Sequence, residues 1–271
     1  VRTQSNEEPW WSRGHATVVE GPGGDWWMVY HGYENGFRTL GRQTLLEPVE
    51  WTDDGWFRAM GGDLSKPLRK PAGGNVGKSG FALSGGFEAE RFGGQWCFHQ
   101  PGPDEDKRIT RDGDALVLAA SGTSPADSAP LVCLVGERAY QVEVALELDG
   151  ADVAGGLLLY YNAKSFVGLG FTADTVKTYQ YAEELPWARV SRANKKARVR
   201  MTNNAHVVTF EYSHDDGRNW TVHGTRMEVS GMHHNVFGGF LSLRVGLFAV
   251  GKGAVKFLDF RYRAVAESVS G

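Results

Sequence analysis

Few residues in this chain combine a reactive side chain with a suggestive setting. His15, in Gly14-His15-Ala16-Thr17, opens an apolar run, and Arg42 sits in Leu40-Gly41-Arg42-Gln43-Thr44. An imidazole can ligate a metal ion or serve as a hydrogen-bonded core residue. A guanidinium is a rigid fork of donors whose fixed charge lowers the pKa of nearby carboxyls and so keeps a base ionised. The alternative for Arg42 is a surface pair with Glu47 or Glu50. Glu20, Glu34, Glu47 and Glu50 fall in strand or turn positions and are expected to be solvated charges. His31, at the end of an aromatic strand, could face a pocket or the core, with the core favoured, and Arg38 has no feature beside it that suggests a role. The adjacent His233 and His234 look like a metal pair, but neighbours on a strand point to opposite faces, and a loop position is expected for both. Ser213-His214-Asp215-Asp216-Gly217-Arg218-Asn219-Trp220 reads as a hairpin turn stapled by Asp and Gly with the Trp packed beneath. No phosphate loop, dinucleotide fingerprint, zinc cluster or serine nucleophile elbow is present.

The elements that must position these residues are strands. With 36 Gly and 9 Trp in 271 residues, and no sustained helical periodicity, the chain is expected to be all-β. Four apolar runs at 15–20, 26–31, 39–46 and 49–60 are separated by turn signals: Gly21-Pro22-Gly23-Gly24-Asp25, Glu34-Asn35-Gly36 and Asp53-Asp54-Gly55. Four short antiparallel strands make one blade of a β-propeller, which expects neighbours on both faces. A Lys-, Pro- and Gly-rich stretch follows as a connector. Beyond it period-2 alternation returns, in Val142, Val144, Leu146 and Leu148, then Val208, Phe210 and Tyr212, then Leu258, Phe260 and Tyr262. The run 155–161 is apolar on both faces, as in a central strand. The expected domains are a blade over 1–62, a linker over 63–86 and a β-sandwich over 87–271.

A formal net charge of −3 with both signs interspersed gives no field to attract nucleic acid or an anionic membrane, so neither is expected as a partner. No apolar run approaches the roughly 20 residues of a membrane span. The start, Val1-Arg2-Thr3-Gln4, lacks the apolar stretch of a signal peptide, which favours a cytoplasmic over a secreted location. Cys97 and Cys133 could form one bridge; two buried thiols are the expectation.

The strings Pro9-Trp10-Trp11-Ser12-Arg13-Gly14-His15-Ala16-Thr17, Trp26-Trp27-Met28-Val29-Tyr30-His31-Gly32 and Leu40-Gly41-Arg42-Gln43-Thr44 together resemble the last blade of family 43 glycoside hydrolases, the β-xylosidases and α-L-arabinofuranosidases. The later sequence is similar to their C-terminal domain, in Phe87-Glu88-Ala89-Glu90-Arg91-Phe92 and Gly122-Thr123-Ser124-Pro125-Ala126-Asp127. The resemblance implies a blade that completes a five-bladed propeller, followed by a concanavalin-like jelly-roll sandwich. It implies an inverting mechanism with an Asp base, a Glu acid and a tuning Asp, none of which matches a residue here. The general acid and base are therefore expected on a separate N-terminal propeller chain, acting on xylo- or arabino-oligosaccharide. His15 then corresponds to the axial histidine at a hydrated Ca2+, and Arg42 to the arginine that grips the innermost sugar. Phe237, in His233-His234-Asn235-Val236-Phe237-Gly238-Gly239-Phe240, is the candidate for a phenylalanine that closes the pocket rim. Trp10, Trp11, Trp26 and Trp27 could stack on sugar rings or pack between blades. The alternative is a non-catalytic carbohydrate-binding or structural module.

Overall fold

The computed structural model describes residues 7–74, 83–85, 87 and 94–267, and the chain divides into two compact units, Val1–Gly80 and Phe81–Gly271. The fold is all-β. Among the described residues the one α-helix is a single turn, α1 (His234–Phe237). No helix among the described residues is long and apolar enough to cross a membrane.

The first unit is a four-stranded antiparallel meander in the order β1 (Trp10–Glu20), β2 (Trp26–Glu34), β3 (Arg42–Trp51), β4 (Phe57–Ala59). Gly24 at φ 79° and the Gly21 N–H bonded to the Asp25 carbonyl close the first hairpin. The third turn is held by the Thr52 N–H to the Trp56 carbonyl at 2.7 Å, with Gly55 at φ 80°. The sequence pattern breaks a strand before Val49; the structure has one strand running through it. Pro48 donates no hydrogen bond, but it pairs in register with Trp27 and its carbonyl accepts from the Met60 N–H, so the ladder continues.

The second unit is a sandwich. One sheet runs β13-β12-β11-β10-β19-β8-β5, built from Glu183–Glu184, Thr175–Gln180, Ser165–Phe171, Val153–Asn162, Arg244–Gly251, Leu131–Leu134 and Trp96–Phe98. The other runs β17-β16-β15-β9-β20-β7-β6, built from Thr221–Val222, Val207–Ser213, Lys196–Asn204, Ala139–Asp149, Ala254–Ala264, Ala115–Ala119 and Ile109–Asp112. Non-consecutive neighbours such as β10 beside β19 and β9 beside β20 are the crossovers of a jelly roll. Alternate residues of both sheets, including Leu157, Leu159, Val142, Val144, Val199 and Phe257, meet in one buried core. β10 is central and apolar on both faces: Leu158 and Tyr160, on its other side, join Phe166, Tyr179 and Phe248 in a second buried cluster. Gly156 pairs with Gly170, and a Cβ there would run into the Leu169 carbonyl.

Two readings of the sequence need correction. Simple alternation puts Leu258 on the inner face with Phe260, but a bulge separates Leu258 and Arg261 in the β20–β9 register, with Asp259 at φ 56°. The extra residue flips the pattern, so Phe257 and Phe260 are buried and Leu258 lies on the outer face. The cysteines are free, and Cys97 is exposed rather than buried. Cys97 pairs with Val132 and Cys133 with Trp96, so the two thiols lie on opposite faces of adjacent strands and cannot meet. Burial pushes the Cys133 thiol up to about 12.

Candidate functional site

β1 is interrupted twice. Its register with β2 shifts between Trp11 and Gly14 and again between Gly14 and Thr17, and two non-glycine residues, Ser12 (φ 52°) and His15 (φ 57°), take left-handed conformations. Such conformations are unfavourable for L-residues and are kept where the fold needs a side chain re-aimed. Here they turn the exposed His15 toward His31, with ring centroids 6.5 Å apart.

His31 is half-buried and lies beside His15. Its pKa is lowered by burial, then by the positive charge of Arg42 and by His15, against a backbone hydrogen bond at Gly14 that favours the charged form. Pairing explains the convergence: Tyr33 lies opposite Arg42 and His31 opposite Thr44, so His31, Tyr33 and Arg42 share one face of the sheet. The structure therefore gathers His15, His31 and Arg42.

The same register removes the alternative partners of Arg42. In β3, Glu47 is an odd number of positions away and on the opposite face, and Glu50 is eight residues along, about 26 Å on the same face. Glu47 is not a solvated charge: it is fully buried, accepting from the Tyr30 hydroxyl and from the Gly61 N–H at 3.0 Å. Arg38 has a partner after all, its guanidinium 4.5 Å above the Trp11 ring, which in turn packs against Tyr33. Trp10 faces the other way, donating its indole N–H to the Leu64 carbonyl at 3.1 Å. Trp27 is buried, and Trp26 meets Trp51 edge-on at 5.3 Å.

Tyr33 is what the residue-by-residue reading misses at this site, and for His31 that reading favours the core over the pocket. Alternation back from Tyr33 along β2, registered on Arg42, is the signal that finds them.

The described residues do not by themselves make a calcium site. Ca2+ takes oxygen ligands, preferably carboxylates. The face around His15 offers a second imidazole and a guanidinium, and no group of three or more His, Cys, Asp or Glu among the described residues could hold a metal.

Phe237 lies in the sandwich unit at the end of α1. It is half-buried, its ring 6.0 Å from that of Tyr161, and it packs on the sandwich core while its neighbours Val236 and Phe240 are exposed. His233 caps α1, its Nδ1 accepting from the Asn235 N–H at 3.2 Å, and His234 stacks on Phe240, with centroids 3.7 Å apart. Neither is placed as a metal ligand. The Ser213–Trp220 turn is stapled as its composition suggests: the Ser213 Oγ accepts from the Gly217 N–H, and Asp215 accepts from Asn219, holding its carboxyl at about 2. The Phe87–Phe92 string lies largely outside the described residues.

Residues 1–57 match the model of the glycosyl hydrolases family 43, and residues 84–263 match that of the beta xylosidase C-terminal concanavalin A-like domain. Over 53 residues the chain is 43% identical to a non-reducing end alpha-L-arabinofuranosidase of Bacteroides ovatus, covering 18% of this chain and 10% of that one. Among solved structures, a family 43 protein of Bacillus licheniformis superposes with a TM-score of 0.83 at 24% identity, covering 97% of this chain and 55% of its own. A xylan beta-1,4-xylosidase of Bacillus halodurans gives 0.80 at 21%, covering 95% and 54%. At these identities the likeness is one of fold, and the chain spans about half the length of those structures. With both of its units matched in order, the chain belongs to glycosyl hydrolase family 43, as a propeller-blade segment followed by the concanavalin-like C-terminal domain.

Proposed function

We propose that this chain is the C-terminal part of a glycosidase that removes xylose or arabinose from xylan-derived oligosaccharides. The observation that carries this reading is the convergence of His15, His31 and Arg42 on one face of the blade, aimed by two strained bulges. An inverting hydrolysis needs an acid on the glycosidic oxygen and a base activating water on the opposite ring face, with carboxyls about 6.5–9.5 Å apart. The Arg42 face brings nitrogen groups together, and the buried carboxylate of the blade, Glu47, is on the other side. The acid and base are therefore assigned to sequence outside these 271 residues, in the form of a separate N-terminal propeller chain. Arg42 grips vicinal hydroxyls through its fork of donors, and its charge keeps a nearby carboxylate base ionised. Phe237 is assigned to the pocket rim. A Ca2+ at His15 would draw its oxygen ligands from water and from that other sequence.

Reconstitution with the N-terminal propeller chain tests the reading. The assembled enzyme should hydrolyse an aryl-xyloside or aryl-arabinofuranoside, and Arg42→Ala should lower kcat/KM by about 10²–10³-fold, the usual loss for one transition-state donor, with the circular dichroism unchanged. Unchanged kinetics would remove Arg42 from the site. Hydrolysis by this chain alone would remove the need for a partner, and an inactive assembly would leave a non-catalytic module. If exhaustive chelation followed by calcium addition alters neither activity nor thermal stability, the metal is not there.

A further inference from the structure

We propose that Cys97 is a modification site: an exposed thiol that reacts with small hydroperoxides, its oxidised form held by the buried guanidinium of Arg244. The site lies within the sandwich unit and does not depend on the glycosidase reading.

Sheet pairing brings the two residues together. β5, the edge strand of its sheet, carries Cys97 opposite Val132, which lies opposite Gly246 and then Leu158, so these four share one row on the outer face. The adjacent row on that face is Leu134, Arg244 and Tyr160. Gly246 sets no side chain beside Arg244, and the arginine reaches across β8: its Nη2 is 3.1 Å from Nδ1 of His99, two residues beyond Cys97. The sulfur of the exposed Cys97 is thereby within electrostatic range of the guanidinium.

Arg244 is a buried cation without a counter-charge. It is 8% exposed, and its bonds go to neutral groups, the His99 imidazole and the Tyr161 carbonyl at 2.7 Å. His99 stays neutral because burial and Arg244 itself lower its pKa to about 4. No carboxylate among the described residues pairs with Arg244, whereas Arg198 holds Glu143, Asp216 and Asp259. Its Nε is buried with no hydrogen-bond partner, and so is the hydroxyl of Tyr160, whose ring centroid is 6.0 Å from the guanidinium carbon. A buried cation left unpaired is costly, and a negative group formed beside it relieves that cost.

Two-electron oxidation of Cys97 forms such a group. The thiolate sulfur attacks the terminal oxygen of a hydroperoxide. An S–O bond forms as the O–O bond breaks, and the departing alkoxide or hydroxide takes a proton from solvent. The sulfur is oxidised to a sulfenic acid and the peroxide is reduced to an alcohol or water. As sulfenate, the new oxygen supplies the charge that Arg244 lacks. Cys133 is the only other thiol of the chain. It is buried on the opposite face, so it neither competes for peroxide nor closes a disulfide with Cys97.

The test is peroxide treatment of the 271-residue chain in the presence of dimedone, which traps sulfenic acids, followed by peptide mass spectrometry. Cys97 should be labelled and Cys133 left bare, and Cys97 should react at least about tenfold faster in the native chain than in the chain unfolded by urea. A thiol that is merely exposed reacts no faster folded than unfolded. Arg244→Met should slow native labelling by about tenfold. Without dimedone, the oxidised wild type should melt about 2–4 °C above the untreated chain, and Cys97→Ser treated alike should show no rise. Thermal melting establishes that Arg244→Met is folded; if it is not, the native-to-unfolded ratio and the melting shift decide. Native labelling of Cys133 alongside Cys97, equal rates in the folded and unfolded chains, unchanged labelling in folded Arg244→Met, or a melting temperature that does not rise on oxidation would each overturn the assignment.

Discussion

Among the described residues of the blade, Met28, Tyr30 and Val49 form a small buried apolar cluster and Trp27, Tyr33 and Leu40 are buried apart from it, while Leu46, Trp51, Trp56 and Met60 stand exposed. In the sandwich, two sheets close over a core that draws on nearly every strand, with Val142, Val144, Leu157, Val199, Met201 and Phe257 all fully buried. Both units are built from the same alternating strands, so the contrast lies in what their apolar faces meet. A single four-stranded sheet has no second layer and stays marginal; a sandwich supplies its own. The strained, charge-bearing candidate site sits on the unit with less packing. Residues held in unfavourable conformations need support, and the proposed neighbouring blades would supply part of it.

The largest way to break this comparison is to remove a core side chain. Phe257→Ala should cost the sandwich about 3–5 kcal/mol, a large share of the total stability of a domain. Peptide-resolved hydrogen exchange should show faster exchange throughout residues 94–267 with little change over 10–60. Equal loosening of both units would mean that they unfold as one and that the contrast is only apparent.

A second test is pH. His99 is buried, its Nδ1 3.1 Å from Nη2 of the buried Arg244, and burial followed by that positive charge lowers its pKa to about 4. The folded value lies below the unfolded one of about 6.5, so the unfolded chain takes up a proton that the folded one refuses. Stability from this group is complete above about pH 6.5 and is lost as the pH falls toward 4, by on the order of 3 kcal/mol. His99→Gln keeps a hydrogen-bond acceptor for Arg244 but does not titrate. Urea unfolding of the variant between about pH 7 and 4.5 should show a shallower slope than the wild type, the remainder coming in part from His223 and His214, whose pKa values burial also lowers. His31 in the blade is shifted in the same direction but is only half-buried, so its share of that slope should be smaller.

Glu47 carries the comparison back to the blade. Glu47→Gln can keep its oxygen on the Gly61 N–H and turn the Tyr30 hydroxyl from donor to acceptor, but both bonds lose the carboxylate, and the change should cost about 1–2 kcal/mol. The loss should appear in exchange of β2 and β3 and leave the sandwich unchanged. Stability unaffected by the change would mean that the carboxylate is not satisfied as described.

Glu47 also marks how far the sequence could be read. The hairpin turns of the blade, the alternation of β9, β15 and β16 and the doubly apolar β10 are local signals, set by strand period and by turn residues, and they were legible. Glu47 was not, because a charged residue in an alternating run looks solvated until the pairing register brings Tyr30 and Gly61 to it. The bulges at Ser12, His15 and Asp259 were invisible for a related reason: the residues that take the left-handed conformation are not glycines, and each depends on contacts distant in sequence. Arg42 was visible through its motif. Its neighbours His31 and Tyr33 required the register of β2 on β3. Local periodicity gives elements; the site needs their pairing.

The smallest predicted effect is the most direct test of the proposal that further blades cover this sheet. Trp56 is 72% exposed, and it borders a cavity of about 780 Å³ with Met28, Tyr30 and Phe57. Its turn is held by backbone and by Thr52 and Asp54, not by the indole. Trp56→Ser should therefore change the stability of this chain by no more than about 0.5 kcal/mol, as for other surface positions. In the proposed assembly the same indole becomes interface, and the variant should weaken the packing of further blades in proportion to the apolar area withdrawn. A blade that felt the loss of Trp56 on its own would be self-sufficient, and the reason for placing its support elsewhere would be gone.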